Sequence, residues 1–384
     1  MKVLVGLSGG VDSAVAAYVL KEQGYDVTCC FMRNWDAFAN GDIAGNPTIQ
    51  NDTCPQEQDY MDALAVANHL VLELLRVDFI KEYWDYVFSS FLEEYKKGRT
   101  PNPDILCNKY IKFDSFFHFA MEKGFDMVAT GHYASVTRDD HFTYLSRAVD
   151  KNKDQTYFLC QVPSQALSKT LFPIGNIEKP EVRRIAAELN LESVATKKDS
   201  TGICFIGERN FREFLSNYLP SKDGDIVDID TGKVVARHVG VLYYTIGQRK
   251  GLNIDHEKGP WFVIGKDVEK NILFVCHHTK KEWLYSTSCL VKGINWILPE
   301  GYEIPEKCTC KFRYRQKDQD VECEIIDETT VLLKYPQKIA SVTCGQEAVL
   351  YNGNICMGGG TIEEVYIDGQ DLNKKIIKTY EENK

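Results

Sequence analysis

Lys2-Val3-Leu4-Val5-Gly6-Leu7-Ser8-Gly9-Gly10-Val11-Asp12-Ser13-Ala14 stands near the head of the chain, and its reading decides the fold. Val3-Leu4-Val5 fits a buried strand, and residues 12–23, closed by Gly24, fit a helix. Between them lies a glycine-rich turn. Such a turn presents backbone N–H groups and the positive end of the helix dipole, which together make an anion site. Gly9 and Gly10 let the backbone approach a phosphate without a Cβ in the way, and Ser8 and Ser13 offer hydroxyl donors. The Walker lysine of G-x-x-x-x-G-K-[ST] is missing, so a kinase-like or GTPase-like grip on a γ-phosphate is not supported.

Downstream the strand and helix signals continue to alternate. Strands are predicted over 2–7, 26–32, 71–77 and 127–130, and helices over 56–69, 80–97 and 108–123. This alternation predicts an α/β domain with a doubly wound, mostly parallel sheet and ligands at the carboxyl ends of its strands. After Gly207 the texture shifts to a last amphipathic helix over 210–218 and then short strands, including 224–228, 261–265, 307–314, 321–326 and 331–335. These predict a small central β-rich domain followed by a β-barrel. The expected division is 1–206, 207–273, 274–366 and a polar tail over 367–384, a solvated helix or disordered. Residues 33–55 read as a loop or hairpin insertion.

At 384 residues and 44% hydrophobic content the chain can build several cores. It lacks a signal-peptide pattern and any apolar run of membrane-spanning length, so a cytoplasmic protein is expected. Thirteen cysteines in such a chain are expected to be mostly reduced. A net charge of −10 argues against a surface coated for nucleic acid and leaves room for local basic patches. Lys311, Arg313, Arg315 and Lys317 alternate as on one face of a strand.

Two further segments suggest chemistry. In Arg99-Thr100-Pro101-Asn102-Pro103-Asp104-Ile105-Leu106-Cys107-Asn108 the prolines predict a stiff non-helical loop, with Asp104 and Cys107 near the start of the next helix. There a thiolate is favoured, and a carboxylate three residues away completes a plausible nucleophile and acid/base pair. In Asp199-Ser200-Thr201-Gly202-Ile203-Cys204-Phe205-Ile206-Gly207 the flanking glycines suit a mobile thiol. Cys308-x-Cys310 falls on a predicted strand and reads as structural.

Ser8-Gly9-Gly10-Val11-Asp12-Ser13 resembles the pyrophosphate loop of the ATP-pyrophosphatase superfamily, whose fold is of the adenine nucleotide α-hydrolase type. With Pro101-Asn102-Pro103-Asp104-x-x-Cys107-Asn108, Gly202-Ile203-Cys204-Phe205-Ile206-Gly207, Gly131-His132-Tyr133-Ala134 and Tyr244–Gly251, the chain resembles the tRNA-specific 2-thiouridylase family over nearly its whole length. The resemblance implies ATP-dependent thiolation of the wobble uridine of tRNA at C2, with Mg2+ offsetting phosphate charge. Gly6, Leu7, Ser8, Gly9, Gly10, Val11, Asp12 and Ser13 would hold ATP, and Met32 and Gly131 would border its adenosine. Cys107, Cys204 and Asp104 would be catalytic, with Cys204 taking up sulfur as a persulfide and a Cys107–Cys204 disulfide left behind. Asn102, Pro103 and Asp104 would meet the flipped uridine. His132, Lys153, Asp154, Gln155, Arg313, Tyr314 and Gln346 would touch tRNA. Cys344 stands where the family usually has the proline of Pro-Gly-Gln.

The implied partners are tRNA of the Lys, Glu and Gln acceptors and a sulfur-donor protein, a cysteine desulfurase or relay carrier. A monomer is expected. The residues leave alternatives: an iron–sulfur site on Asp104, Cys107 and Cys204, an ATP-pyrophosphatase-type ligase or amidase using another acceptor, or a non-catalytic RNA-binding relative.

Overall fold

The computed structural model describes residues 1–37, 40, 55–191, 194, 197, 211–254 and 259–383. Most of residues 33–55, expected as an insertion, lie outside them, as does the segment 198–210 with Cys204.

The first half is built on a parallel sheet. Strands β1 (Lys2–Gly6), β2 (Asp26–Arg33), β3 (Glu73–Asp78) and β4 (Met127–Thr130) pair in the order β3-β2-β1-β4. Val3, Leu4 and Val5 are fully buried because helices cover both faces, which is why β1 reads as an unbroken apolar run. A hairpin of β5 (Ala134–Arg138) and β6 (Thr143–Arg147) follows, and the short β7 (Thr170–Leu171) closes the parallel sheet beside β4. The chain leaves β1 toward β2 on one side while β4 lies on the other, so the switch point falls between β1 and β4. Ligands gather at such a crevice.

The middle of the chain forms a four-stranded sheet from β8 (Gly224–Asp228), β9 (Val234–His238), β10 (Trp261–Asp267) and β11 (Ile272–His277), in the order β10-β11-β8-β9. The C-terminal part holds β12 (Tyr285–Trp296), β13 (Lys307–Lys311), β14 (Gln319–Ile325), β15 (Val331–Ala340), β16 (Glu347–Asn352) and β17 (Ile355–Ile367). They run β12-β15-β14-β13-β16-β17, and β17 pairs back onto β12 to close a six-stranded barrel. Closure leaves the ring without free edges. No helix among the described residues is long and apolar enough to cross a membrane.

Three local expectations are corrected, and one hairpin is added. The loop through Pro101 and Pro103 ends earlier than expected: Pro103 is the first residue of a helix, Asn102 is its N-cap, and Asn102 Oδ1 accepts from the Asp104 N–H at 3.2 Å. Proline at the first helical position lacks only an N–H that has no helical partner anyway. The strand expected over 307–314 stops at Lys311, and Arg313–Gln316 turns, closed by the Gln316 N–H on the Arg313 carbonyl at 3.1 Å. The basic residues from 311 to 317 therefore do not share a strand face. The C-terminal tail is a helix, Leu372–Glu382, as one of the two expectations had it, but packed and not solvated: Leu372, Ile376 and Tyr380 are buried in the same core as the barrel strands. The β5–β6 hairpin went unread: it adds to the barrel through Cys356 opposite Leu145 on β17.

Candidate active site

The turn after β1 is built as an anion cradle. Gly9 takes φ +72°, and a Cβ there would run into the backbone carbonyl of Asp59, so only glycine fits. Gly10 is the N-cap of the helix Val11–Glu22, with no side chain capping it. The first-turn N–H groups thus face the turn without a competing side-chain acceptor. The serines act differently from the expected donors. Ser13 Oγ donates to the Gly10 carbonyl at 3.0 Å and accepts from the Ser8 N–H at 3.1 Å, with the Ser8 hydroxyl also 3.1 Å away. Ser13 braces the loop from beneath, and Ser8 is the exposed member of the pair.

At the end of β4, Gly131 presses on the start of that helix. A Cβ at Gly131 would lie 2.6 Å from the Ser13 nitrogen and 2.7 Å from the Asp12 carbonyl carbon. Met32 approaches the other side, its Cε 3.0 Å from where a Gly6 Cβ would be. Residues 6–13, Met32 and Gly131 are therefore brought together.

Charged partners that the sequence reading missed surround the loop. The buried Lys179 donates to Asp12 Oδ1 at 2.6 Å, and the Tyr133 hydroxyl donates to the same oxygen at 2.9 Å. Lys197 Nζ reaches Asp59 Oδ1 at 2.7 Å, Asp62 Oδ2 at 2.9 Å and the Gly9 carbonyl at 3.2 Å. Each ammonium is paired with carboxylates, Lys179 with Asp12 and Lys197 with Asp59 and Asp62, so the lysines brace the cradle while its N–H donors carry the positive potential. Neither lysine carries a local motif, since each lies more than 160 residues from the loop in sequence.

The helix that begins at Pro103 carries Asp104 in its first turn and Cys107 three residues on, both on one face. Cys107 is buried and sits past the first turn, its N–H already bonded within the helix. Dipole support is concentrated in that first turn, so it falls on Asp104's position more than on Cys107. From Cys107 to Ser115 the helix widens to π-type, with Phe113 off helical geometry at φ −111°, ψ 17°. Such insertions are frequent at functional sites.

This helix links the thiol to the phosphate loop. Lys112 Nζ lies 3.4 Å from His132 Nε2, and His132 Nδ1 lies 2.8 Å from Thr130 Oγ1. Burial, then the Lys112 charge, hold His132 well below the usual histidine pKa, so the ring is neutral. His132 follows Gly131, and its ring packs inward near Phe113 and Phe172. Next along the helix, Asn108 Nδ2 donates to the Phe158 carbonyl at 2.9 Å and Lys109 Nζ to Gln161 Oε1 at 2.9 Å.

The other expected RNA contacts divide similarly. Asp154 is buried, its carboxylate accepting from the Ala148 N–H at 3.0 Å and the Thr156 hydroxyl at 2.9 Å. Gln155 clamps Tyr133 in both directions, at 2.9 and 2.7 Å. One Arg313 nitrogen donates to the carbonyls of Ile246 and Ser341 at 2.8 Å each and to Thr343 Oγ1 at 2.9 Å. The Gln346 amide is spent on the Thr100 carbonyl at 2.6 Å. Tyr314 packs tilted against Phe158, ring centroids 4.4 Å apart, and its hydroxyl donates to the Lys153 carbonyl at 3.3 Å. Several of these residues hold the site together rather than pointing out of it. Among the described residues no group of three or more His, Cys, Asp or Glu side chains is gathered for a metal ion. Cys308 and Cys310, on β13, are free thiols.

A glycine-turned loop at a parallel sheet's switch point, flanked by two lysines, marks an α/β protein of the kind that binds a nucleotide phosphate, here carrying a C-terminal barrel. Residues 1–208 match the family model "tRNA methyl transferase HUP domain", 212–277 the "tRNA methyl transferase PRC-barrel domain" and 286–362 the "Aminomethyltransferase beta-barrel domain". The chain is 56% identical over 371 residues to "tRNA-specific 2-thiouridylase MnmA" of Mycoplasma capricolum subsp. capricolum, covering 95% of this chain and 99% of that one. It is 49% identical over 372 residues to the protein of that name from Bacillus cytotoxicus, covering 97% of each. The chain belongs to the tRNA-specific 2-thiouridylase (MnmA) family. Among solved structures, a U34-tRNA thiolase NcsA from Methanococcus maripaludis overlaps 53% of this chain and 62% of its own at 19% identity and a TM-score of 0.33, too loosely to carry an argument.

Proposed function

We propose that this protein is an ATP-dependent tRNA sulfurtransferase that converts the wobble uridine (U34) to 2-thiouridine, with AMP and diphosphate as co-products. The observation that carries the reading is the bridge from the phosphate loop through Gly131, His132 and Lys112 to the helix of Asp104 and Cys107. It joins an adenylating cradle to a thiol in one rigid unit.

ATP binds with its phosphates on the loop N–H groups, flanked by Lys179 and Lys197, and Mg2+ supplies charge neutralisation when bound. The uridine O2 attacks the α-phosphate, diphosphate leaves, and a poor leaving oxygen becomes AMP. Cys204 receives a sulfane sulfur from a donor protein. The Cys107 thiolate attacks the Cys204 sulfur, forming a Cys107–Cys204 disulfide and releasing hydrosulfide. Hydrosulfide adds to C2, AMP departs with the former O2, and a dithiol reductant resets the cysteines. Asp104 moves the protons, and Asn102 and Pro103 border the flipped base. Lys153, Arg313 and Tyr314 serve the tRNA side, and His132, Asp154, Gln155 and Gln346 act behind them as supports. tRNA of the Lys, Glu and Gln acceptors and a cysteine desulfurase or relay carrier are the partners of this reading, and the enzyme works as a cytoplasmic monomer. The functional division of the chain falls near residue 206 and after β11, which ends at His277, and the helix Leu372–Glu382 goes with the barrel.

A methyl transfer, the activity in the domain descriptions, has no use for a cradle that positions a diphosphate leaving group. The test is thiolation by Cys107→Ala and Cys204→Ala enzymes with ATP, a persulfide donor and unmodified tRNA. Both are expected to be inactive. Full activity in either removes that cysteine from the mechanism.

A further inference from the structure

The short link Gly98–Asn102, just before the helix of Asp104 and Cys107, is gripped from three directions. From the central sheet, the buried Lys266 on β10 donates to the Gly98 carbonyl at 2.8 Å. Gly98 has φ +77°, and a Cβ there would lie 2.6 Å from Val268 Cγ2. From the barrel, Glu363 on β17 takes both Arg99 terminal nitrogens, at 2.8 and 2.5 Å, while Glu94 on the preceding helix lies 3.3 Å from Arg99. The turn before β16 closes on the next residue: the Thr100 N–H donates to the Cys344 carbonyl at 3.0 Å, and Gln346 donates back to the Thr100 carbonyl at 2.6 Å. Gly345, at φ +88°, lets this turn approach so closely that a Cβ would lie 2.9 Å from both Arg99 Cβ and the Thr100 nitrogen.

Pro101 and Pro103 follow at once, each with φ locked near −65°. A link this stiff transmits displacement instead of absorbing it. Wherever residues 98–100 are held, Asn102 and the first turn of the helix must follow.

We propose that Arg99 and Glu363 are positioning residues for thiolation: their bidentate pair makes the barrel set the place of Asp104 and Cys107 relative to the phosphate loop. The inference rests on the reading of Asp104 and Cys107 as acting groups. A fork-to-carboxylate pair fixes direction as well as distance, which a lysine in the same place does not. Lys266 and Gln346 hold the two ends of the same link.

The test compares Arg99→Met, Arg99→Lys, Glu363→Gln and the exchange pair Arg99→Glu with Glu363→Arg, each in the full-length enzyme. Amide hydrogen exchange is read at Asp104 and Cys107 without substrates, and thiolation kinetics are read with tRNA and ATP. Exchange at those amides is expected to accelerate, and kcat to fall roughly 10- to 100-fold, the scale of a misplaced reacting group. ATP binding and the KM for tRNA are expected to stay within about twofold, and the exchange pair to recover part of kcat. Unchanged exchange and unchanged kcat in a folded Arg99→Met enzyme overturn the proposal. So does a loss confined to the KM for tRNA, which would make Arg99 a docking residue. Cys107→Ala runs beside them: full thiolation there sinks the reading of Cys107, while the exchange result still decides the clasp. If Arg99→Met does not fold, Arg99→Lys gives the same two readouts.

Discussion

Substituting Gly131 by alanine isolates how the parallel sheet sets the phosphate loop. The added Cβ would lie 2.6 Å from the Ser13 nitrogen, 2.7 Å from the Asp12 carbonyl carbon and 2.9 Å from Ser13 Cα, where ordinary contact begins near 3.4 Å. All three are backbone atoms of the first helical turn, so no side chain can rotate away. The end of β4 and the start of the helix must separate by several tenths of an ångström. Overpacking of this kind costs about 1–3 kcal/mol. Gly10→Ala is the control, since its Cβ meets only Ser8 Oγ, at 3.6 Å, and its backbone is extended. Thermal unfolding and calorimetric titration with a non-hydrolysable ATP analogue read the two effects. Gly131→Ala should lower both the unfolding temperature and nucleotide affinity, the latter by about tenfold or more if the lost contacts total about 1.4 kcal/mol. Gly10→Ala should keep its stability and lose affinity only through crowding of the phosphate. Unaltered stability and nucleotide affinity in Gly131→Ala would refute the reasoning.

Removal of the buried ammonium in Lys179→Met should weaken ATP binding by about tenfold or more while Tyr133→Phe has a smaller effect, because the cation leaves Asp12 uncompensated; equilibrium binding checks the order. The contributions of Glu347 and Lys266 to stability should together be lowest near pH 7. Burial, opposed by the Thr361 hydrogen bond, pushes Glu347 up from 4.5 to about 7, so the folded state holds the extra proton and stability falls as pH rises between those values. Burial pushes Lys266 down from 10.5 to about 7, so the unfolded state holds the extra proton and stability rises again as pH climbs from about 7. Denaturant midpoints across pH should lose the acid arm in Glu347→Gln and the alkaline arm in Lys266→Met; arms that survive these changes refute the assignment. Arg313→Lys should destabilise the junction of the central sheet and the barrel by about 1–3 kcal/mol, measured by urea unfolding, because the lysine nitrogen ends one bond short of the guanidinium nitrogen that meets all three acceptors.

Strand and helix order in the first half was legible because parallel strands are buried on both faces and read as apolar runs, β1 above all. The phosphate loop was legible because local geometry demands glycine at Gly9. Pro103 misled because proline is read as a breaker, whereas behind the Asn102 cap it starts a helix. The strand at 307–311 overran to 314 because alternating basic residues imitate a two-residue period that the Arg313–Gln316 turn does not have. The tail's apolar stripe, Leu372, Ile376 and Tyr380, is spaced for a helix face but was masked by surrounding charge. The partners that Lys179, Tyr133, Lys197 and the Arg99–Glu363 clasp take had no local signal. Their meaning lies in contacts across more than 100 residues, which only the folded chain brings together.

The central claim, that the uridine oxygen is activated on ATP before sulfur replaces it, is tested most directly with tRNA carrying 18O at uridine O2. After incubation with ATP and a persulfide donor, mass analysis of AMP and of the nucleosides follows the label. The account predicts one 18O in AMP for each 2-thiouridine formed. Thiolation with the label released to water, or AMP formed without label, contradicts it.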